Sequence, residues 1–387
     1  MEKQKICIIG GGLTGLVTAI TLSKLNCHID LLAGNINQGL ESNRTVAISQ
    51  NNYEFLNKQN IFKTKKNELW PCTKMKLYTQ DKNKKISEIF EINKESNAKK
   101  VFYMSENSKI IKLFLNKMKN IKSINIKKNT IVSEILDSGL LKTVKFKNKE
   151  MKYNLVIICS GSNSNIVKNI FKKNFTKYSY EEMSVTTIVS HKINKNNTAR
   201  QIFLDNEIIG LLPISNTKTS VVWSVKKNLY EKNDLVLKKK LNFYLKNYLE
   251  KIKFKTKIEY QDLNFSVTNK YFKNRILLFG DALHAIHPLA GQGFNMTLRD
   301  LSSLEKTLSN KINLGLDIGS LDILSEFSDE NKSKNFIFSA GINLVKNSFS
   351  LKNKTFKSLR DILLKNLNKS NLAKDIFLSL ANKGLKF

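Results

Sequence analysis

The 387-residue chain has little proline, little cysteine and few acidic residues: three prolines, four cysteines, and 32 Asp+Glu against 65 Lys+Arg. It also lacks any apolar run near the ~18 residues that would span a bilayer. An apolar strand pattern begins as early as Lys5, so no leader peptide is expected. These absences exclude a proline-rich linker and a transmembrane helix, and a cytoplasmic protein is expected.

Metal and dithiol chemistry find no support in the cysteines and histidines. The four cysteines show no C-x-x-C spacing, and Cys7 and Cys159 lie in apolar strand patterns typical of small core residues. His284 and His287 are three residues apart, but no third ligand follows at a suitable spacing, and Pro288 indicates a turn. We therefore expect no metal site, and we expect these two histidines to be structural or to contact a bound ring.

The formal net charge of +33 suggests at first sight a nucleic-acid partner. Lysine is spread along the whole chain, however, without a basic motif or a recognition helix, so no nucleic acid is expected. Attraction to anionic lipid is worth about 1 kcal/mol for each basic residue near the surface. Peripheral association with the inner membrane face, or with a biosynthetic complex, therefore stays open. The basic amphipathic segment 356–367 favours core packing over membrane contact.

A glycine-rich turn near the N-terminus predicts a dinucleotide site. Residues 5–9 form an apolar strand, Gly10, Gly12 and Gly15 form G-x-G-x-x-G, and an amphipathic helix follows before a second strand at 29–32. In this context the glycines allow a tight turn, close approach of a pyrophosphate, and helix–strand packing.

The acidic residue that binds the adenosine ribose in such folds is missing. Its place at the end of the second strand reads Ala33, Gly34 and Asn35, and Asp30 lies inside the strand pattern. Asn35 or a water molecule is the expected substitute, so nucleotide binding remains the prediction.

The segment 276–300 is the most informative part of the chain. It reads as an apolar strand ending at Gly280 and Asp281, a turn, and a helix that opens at Gly291-Gln292-Gly293. A carboxylate at the end of a buried parallel strand can accept hydrogen bonds from a polyol chain. Glycines at the helix start would let a flat ring lie against backbone amides, whose dipoles stabilise negative charge on it. A packed strand–loop–helix unit, the plainer interpretation, does not explain these glycines and carboxylate at their offsets.

Together the motifs resemble the class A flavoprotein monooxygenases, aromatic hydroxylases with one FAD and no separate domain for the nicotinamide donor. Within that class they resemble most the hydroxylases of ubiquinone biosynthesis. The resemblance covers almost the whole chain, including the segments 42–49, 210–213, 220–224 and 359–361. Pro71, Pro213 and Pro288 fall where this family tends to have proline.

The resemblance implies a set of FAD-contacting residues in the glycine-rich turn, the Arg44 segment and the segment 280–295. These are Gly10, Gly12, Leu13, Thr14, Gly15, Arg44, Gly161, Gly280, Asp281, Gly291, Gly293, Phe294 and Asn295. It also implies a flavin edge where oxygen reacts, formed by Pro288, Gly291, Gln292 and Gly293. No side-chain general base can be identified in the sequence.

A third motif of the family departs from its usual form in this chain. Relatives have Ala-Asp-Gly-x-x-Ser followed by Arg; this chain keeps Gly161 and Ser164, but has Ser160 for the Asp and Val167 or Lys168 for the Arg. The resemblance implies that this segment touches both FAD and the incoming nicotinamide nucleotide. FAD binding is still expected, and the electron donor, NAD(P)H or another reductant, stays open.

The expected fold is α/β, with a Rossmann-like FAD-binding domain, an inserted, mainly antiparallel β-sheet substrate domain and a helical C-terminus. The FAD-binding domain is expected to be discontinuous over 1–72, 100–172 and 266–335, with the substrate domain at 73–99 and 173–265 and the C-terminal helical region at 336–387. Strand patterns predict the second sheet over 74–79, 86–92, 185–189, 201–204, 208–212 and 220–225. A Lys-rich helix over 235–249 is expected to cover it.

The implied function is hydroxylation of the aromatic ring of a polyprenyl phenol or quinol intermediate in ubiquinone biosynthesis. Molecular oxygen would react through a flavin C4a-hydroperoxide, so the cofactor carries the chemistry. Two alternatives remain. One is a flavoenzyme of the same fold that acts on another small aromatic or prenyl substrate. The other is a catalytically weakened FAD-binding scaffold subunit, which Ala33, Ser160 and Val167 would suit.

Overall fold

The computed structural model describes residues 3–62, 69–81, 83–94, 100–171, 174–350, 360 and 362. Apart from residues 360 and 362, the amphipathic segment predicted at 356–367 and the pattern at 359–361 lie outside these described residues.

The strands, in chain order, are β1 (Gln4–Ile9), β2 (Cys27–Leu32), β3 (Thr45–Ser49), β4 (Trp70–Cys72), β5 (Lys74–Gln80), β6 (Ile86–Asn93), β7 (Phe102–Glu106), β8 (Ile124–Lys127), β9 (Val132–Ser138), β10 (Leu141–Phe146), β11 (Lys149–Tyr153), β12 (Leu155–Ile158), β13 (Phe175–Ser190), β14 (Thr198–Phe203), β15 (Glu207–Ser215), β16 (Lys218–Lys226), β17 (Lys253–Phe254), β18 (Glu259–Thr268), β19 (Phe272–Lys273), β20 (Ile276–Leu278) and β21 (His284–Ala285). The α-helices are α1 (Leu13–Leu22), α2 (Asn37–Leu40), α3 (Gln50–Lys58), α4 (Asn107–Met118), α5 (Asn165–Ile170), α6 (Asp234–Leu245), α7 (Gln292–Asn313) and α8 (Leu321–Ser350).

A six-stranded sheet in the order β19-β20-β12-β1-β2-β8 forms the nucleotide-binding layer. The strands from β20 to β8 run parallel, and Ile6 of β1 lies opposite both Leu155 and Ile29. Every residue of β12 is buried, as expected for a parallel strand that is covered on both faces. Helix α1 contacts both α4 and α7.

A larger sheet, in the order β21-β18-β13-β16-β15-β14-β5-β6 with β17 beside β13, contains all six of the strands predicted for the second sheet. It is mainly antiparallel, although β14 and β5 pair in parallel. Helix α6 covers one face and buries Leu237, Leu241 and Leu245 in the same cluster as Trp223. The predicted α/β fold with an inserted antiparallel sheet is therefore confirmed.

Two small sheets, β11-β10-β9 and β3-β7-β4, were not predicted from the sequence. Most residues of β9 are exposed or half-buried, so its sequence carries no clear alternation of apolar and polar side chains. The sheet β3-β7-β4 places the strand that follows Arg44 against Phe102–Glu106.

Two of the predicted domain boundaries fall within continuous elements of the structure. The boundary at 265/266 cuts β18, which continues to Thr268 and also pairs with β21 of the flavin motif. The boundary at 335/336 falls inside the continuous helix α8, where buried Asn335 bonds to Asp300 of α7 and holds the two helices together. The division of the remaining segments between the two domains stays a prediction.

No helix in the described part of the chain is both long and apolar enough to cross a membrane.

Candidate functional site

Three adjacent parallel strands end in the glycines that the sequence assigned to the site. Gly10 follows β1, Gly161 follows β12 by two residues, and Gly280 follows β20, and the order of these strands is β20-β12-β1. All three glycines have positive φ, at 130°, 81° and 62°, a conformation that favours residues without a side chain. Because the carboxyl ends of neighbouring parallel strands meet at one edge, the three turns lie together there.

Gly10 and Gly15 are required by close backbone approach. A Cβ atom on Gly15 would lie 1.9 Å from the Gly10 carbonyl oxygen, and one on Gly10 would lie 2.7 Å from the carbonyl oxygen of Cys159. Both distances are far shorter than van der Waals contact. These two glycines therefore close the turn between β1 and α1 and pack that turn against the end of β12.

Gly12 and Gly293 face open space. No atom lies within 4 Å of a Cβ built on either residue, and each stands at or beside the start of a helix, α1 or α7. Neither helix has a side-chain cap at its N-terminus. First-turn amides without such a cap are available to an anion or to a ring that carries negative charge. These two helix starts form a cradle that is compatible with FAD. The expected placement of the pyrophosphate at α1, beside Leu13 and Thr14, and of the flavin ring at α7 stays a prediction.

The Gly280 turn connects the two halves of this cradle. A Cβ on Gly280 would lie 2.6 Å from the Thr14 side chain, so only glycine lets the turn pack against the first turn of α1. The next residue, Asp281, is accessible to solvent, yet the surrounding protein raises its carboxyl pKa by desolvation, while the charges of His284 and Arg44 oppose that rise. An accessible group with this much protein around it lies in a recess, as a ribityl-binding carboxylate would.

Asn295 is fully buried, and its side chain connects the start of α7 to β3 rather than pointing into the open site. Its Oδ1 accepts hydrogen bonds from the Ser49 amide (2.9 Å) and from Asn52 Nδ2 (2.8 Å), and its Nδ2 donates to the Ala47 carbonyl (2.8 Å). These bonds fix the start of α7 to β3. Gly291, with φ 64°, would bring a Cβ to within 3.0 Å of Ala47 at the same junction.

The other two predicted residues at the start of α7 are at least partly enclosed by protein. Gln292 is buried, and Phe294 is half-buried and packs against the main core. For Gln292, Phe294 and Asn295, the assignment to FAD or to the flavin edge stays a prediction, since the structure places side chains of all three against protein.

Arg44 pairs with a residue that sequence reasoning missed. Its Nε lies 2.9 Å from Glu259 Oε1, and Glu259 also accepts hydrogen bonds from Ser42 Oγ (3.1 Å) and the Asn43 amide (2.9 Å). Glu259 begins β18 of the large sheet, so it holds the Arg44 segment at the boundary between the two sheets. The Arg44 side chain remains 42% exposed, and its contact with FAD stays a prediction.

The two serines of the third motif, Ser160 and Ser164, bond to each other. Ser160 Oγ donates to Ser164 Oγ (2.9 Å), and Ser164 caps α5 by accepting from the Val167 amide (3.3 Å). Val167 is fully buried, whereas Lys168 is exposed. The place of the family's Arg is therefore filled by a core residue, and the loop keeps its shape through serine–serine bonding.

At the expected adenosine end, Asp30 is bonded within the protein. Its carboxylate accepts hydrogen bonds from Asn125 Nδ2 (2.9 Å) of β8 in the same sheet and from Tyr153 OH (2.6 Å), which ties the first sheet to the β9–β11 sheet. Asn35 is exposed, and its Oδ1 accepts from the Asn37 amide (3.0 Å). Its role as ribose ligand stays a prediction.

Both histidines of the motif bond to buried carboxylates that the sequence did not suggest. His284 Nε2 lies 2.8 Å from Asp300 Oδ2, and His287 Nε2 lies 3.1 Å from Glu182 Oε2. Asp300 also accepts from Asn335, and Glu182 is paired with Lys346 Nζ at 2.8 Å. Among the described residues no group of His, Cys, Asp and Glu has the geometry of a metal site.

A small, mainly apolar cavity lies on the inner face of the large sheet, opposite α6. Its wall includes Met75, Phe102, Met104 and Leu212. Leu289, which directly follows Pro288 of the predicted flavin edge, belongs to the same hydrophobic cluster as these four residues. The cavity and the turn that leads into the open helix start at Gly293 therefore share one apolar cluster.

Comparison with known proteins places this site in a family. A family model described as FAD binding domain matches residues 3–317. The chain is 24% identical over 396 residues to the mitochondrial ubiquinone biosynthesis monooxygenase COQ6 of Caenorhabditis elegans, a match that covers 87% of this chain and 86% of that protein. It is 28% identical over 172 residues to the ubiquinone hydroxylase UbiL of Rhodospirillum rubrum, covering 42% of this chain and 38% of that one.

The fold is also found in solved structures. The p-nitrophenol 4-monooxygenase PnpA of Pseudomonas putida matches over 100% of both chains with a TM-score of 0.79 and 16% identity. The family match, which spans far more than half of the chain, agrees with the glycine cradle described above. This protein belongs to the FAD-binding-domain family, has the fold of the FAD-dependent monooxygenases, and uses FAD as its cofactor.

Proposed function

We propose that the protein is an FAD-dependent monooxygenase that hydroxylates the aromatic ring of a polyprenyl phenol or quinol intermediate of ubiquinone biosynthesis. The observation that carries this proposal is the apolar cavity beside Leu289, next to the open helix start at Gly293. Relatives that align along most of this chain are named as ubiquinone biosynthesis monooxygenases, which supports the substrate class.

The cavity wall suits an uncharged ring with a hydrocarbon tail. Methionine and phenylalanine side chains offer polarisable apolar contacts and carry no group that needs a hydrogen-bond partner. Arg200 also borders the cavity, but its Nη1 donates to the Thr198 carbonyl (3.2 Å) and its guanidinium lies 5.8 Å from the Tyr248 ring, which belongs to the cluster on the α6 side.

The protein's own contribution is to bind and orient. The first-turn amides of α1 would hold the pyrophosphate, Asp281 the ribityl hydroxyls, and the amides at Gly291 and Gly293 the ring edge where negative charge develops. When bound, FAD supplies the two-electron chemistry that activates molecular oxygen. The apolar cluster around Leu289 excludes water from the place where the substrate ring would lie.

The electron donor is proposed to differ from the usual arrangement of the family. Ser160 and Val167 leave the third motif without its Asp and its Arg, and Val167 is part of the core. NAD(P)H or another reductant remains in question for this reason. The same departure favours a weakened FAD-binding scaffold as the second candidate function.

Peripheral attachment to the inner membrane face, or to a biosynthetic complex, is part of the proposal because a polyprenyl substrate is held in lipid. The net charge of +33 would favour contact with anionic lipid. Sedimentation with vesicles that contain anionic lipid, compared with neutral vesicles, would measure this attachment.

The test is the quinone profile of a ubiquinone-making bacterium that lacks its own ring hydroxylases and expresses this chain. Mass spectrometry should detect ubiquinone or an intermediate that carries additional hydroxyl groups. Gly293→Trp should abolish the gain, because its side chain would begin in the open space at the start of α7 where the flavin ring is proposed to lie.

Gly341→Trp provides the matched control, since Gly341 is equally open but lies on the exposed side of α8. If the starting intermediate persists with the unmodified chain while the purified protein is yellow with FAD, the scaffold function would be favoured over the hydroxylase.

A further inference from the structure

A buried chain of three charged or titratable side chains reaches the flavin edge from α8. Lys346 Nζ lies 2.8 Å from Glu182 Oε1, and Glu182 Oε2 lies 3.1 Å from His287 Nε2. The side chains of Lys346 and Glu182 are about one-tenth exposed and that of His287 is 1% exposed. His287 immediately precedes Pro288, the residue predicted to stand at the flavin edge.

The backbone is deformed to place Glu182 in this chain. Strand β13 changes register against β18 between Ser179 and Glu182, and Glu181 within this bulge has φ 52°, which is unusual for a residue with a side chain. Bulges re-aim side chains and are frequent beside active sites. Tyr180 of the same bulge packs edge-on against the His287 ring at 5.2 Å and donates to Asn343 of α8 at 2.5 Å.

The charge states of the three groups follow from their contacts. Burial raises the pKa of Glu182, but hydrogen bonds from His287 and Lys346 outweigh this and leave that pKa below its ordinary value. Burial lowers the pKa of His287, which Lys346 lowers further and Glu182 opposes. At neutral pH, Glu182 is therefore an anion and His287 is neutral. Tyr180, whose pKa is raised mainly by burial, stays protonated.

The tautomer of His287 is fixed by its neighbour. A carboxylate can only accept a hydrogen bond, so Nε2 must carry the proton of the neutral ring and Nδ1 must be the bare nitrogen. His287 Nδ1 is buried and has no hydrogen-bond partner among the described residues. A buried acceptor without a partner costs stability and calls for an explanation, of which a catalytic role is one.

His284 provides an internal comparison. Its Nε2 also bonds to a carboxylate and its Nδ1 is also without a partner in the described part of the chain, but Asp300 is sealed at 1% exposure. Glu182 is instead about one-tenth exposed and borders a small surface pocket with Asp205, Asn206 and Lys226 in its wall. The His287–Glu182 pair can therefore exchange protons with solvent, whereas the His284–Asp300 pair can only hold structure.

We propose that His287 is the proton-transfer residue of the active site, with Nδ1 accepting the hydroxyl proton of the phenol or quinol substrate. The proposal rests on the proposed hydroxylase function. The substrate O–H bond breaks, an N–H bond forms at Nδ1, and the electron pair stays on the substrate oxygen, so no atom is oxidised or reduced in this step. The ring gains electron density, and the proton returns to the product oxygen afterwards. Glu182 and Lys346 are positioning residues that set the tautomer and basicity of His287.

The first experiment observes the histidine rings directly by NMR in FAD-loaded protein labelled with 15N-histidine. The chain has four histidines, and His287→Gln identifies the signals of His287. We expect a neutral ring with a protonated Nε2 at pH 7. Lys346→Met should raise the pH at which His287 titrates, because a repelling cation is removed, and Glu182→Gln should lower it, because a stabilising anion is removed. A ring protonated at Nδ1, or one unmoved by both changes, would overturn the proposal.

The second experiment is the pH profile of hydroxylation with a short-tailed prenyl phenol. His287→Gln keeps a donor near Glu182 but removes the base, and should slow hydroxylation about 100-fold or more. The acidic limb of the profile should move to higher pH in Lys346→Met and to lower pH in Glu182→Gln. His28→Gln, at an exposed position of β2, is the matched control and should leave the limb in place.

The two proposals fail in different ways. A wild-type protein that hydroxylates no phenol counts against the hydroxylase function, while the ring signals still show or refute a bare Nδ1 on His287. Hydroxylation at an unchanged rate in His287→Gln counts against His287 alone.

Discussion

Replacing Asn295 with leucine, which has the same number and branching of side-chain atoms but a larger volume, is expected to lower the free energy of unfolding by about 3–9 kcal/mol. The Asn295 side chain is fully buried and bonds to the Ser49 amide, the Asn52 side chain and the Ala47 carbonyl. Leucine would leave these three buried groups without a partner, and each such group costs about 1–3 kcal/mol. Since domains of this kind are stable by only about 5–15 kcal/mol, the loss should be large in a urea titration.

The control is Asn347→Leu, the same chemical change at an exposed position of α8, which should alter the unfolding free energy by less than about 0.5 kcal/mol. FAD affinity should fall in Asn295→Leu as well, because the start of α7 would no longer be fixed to β3. If the unfolding free energy falls by less than about 1 kcal/mol and FAD binding is intact, Asn295 does not hold the start of α7 on β3.

Three further predictions concern single carboxylates. Asp281→Ala should weaken FAD binding about 10- to 100-fold, as measured by flavin fluorescence, because a hydrogen bond to a charged group contributes about 1.5–3 kcal/mol. Because burial raises the pKa of Asp281, the FAD affinity of the wild type should begin to fall at a higher pH than it would with an Asp of ordinary pKa. Glu207→Gln should cost about 2–4 kcal/mol of stability in denaturant titrations, since its buried carboxylate accepts from Trp223, Tyr230 and Lys240 and so holds α6 on the sheet; an unchanged midpoint would contradict this. The pKa of Glu182 is lowered, so its ion pairs stabilise the fold above the ordinary Glu pKa of 4.5 and that stabilisation is lost as the pH falls through the lowered value; the stability difference between wild type and Glu182→Gln should therefore shrink in acid, and a constant difference would argue against the ion pairs.

The parts of the site that could be predicted from the sequence are those in which neighbouring residues form a recognisable motif. Gly10, Gly12 and Gly15 lie within six residues, and the strand before them and the helix after them are strongly periodic. The same is true of Gly280 and Asp281 after an apolar strand. Because the order of parallel strands β20, β12 and β1 then brings their carboxyl ends together, the cradle follows from short-range signals and one rule of sheet topology.

The contacts that hold the site in place could not be predicted. His287 and Glu182 are 105 residues apart, and Asp300 bonds to Asn335 in a different helix. No period or motif links such pairs, and Glu182 reaches His287 only through an irregular bulge whose positive-φ residue is Glu181 rather than glycine. Strands β9 and β11 escaped prediction for a related reason, since most of their side chains are exposed or half-buried and few are selected by burial.

The function itself is tested most directly by a single turnover with labelled oxygen. FAD on the purified protein is reduced chemically with dithionite, which removes the question of the natural electron donor, and is then mixed with a short-tailed prenyl phenol and 18O2. The proposed function predicts a product heavier by one 18O atom, as measured by mass spectrometry. Reoxidation of the flavin without any 18O in the phenol, or incorporation of oxygen from water instead, would contradict it.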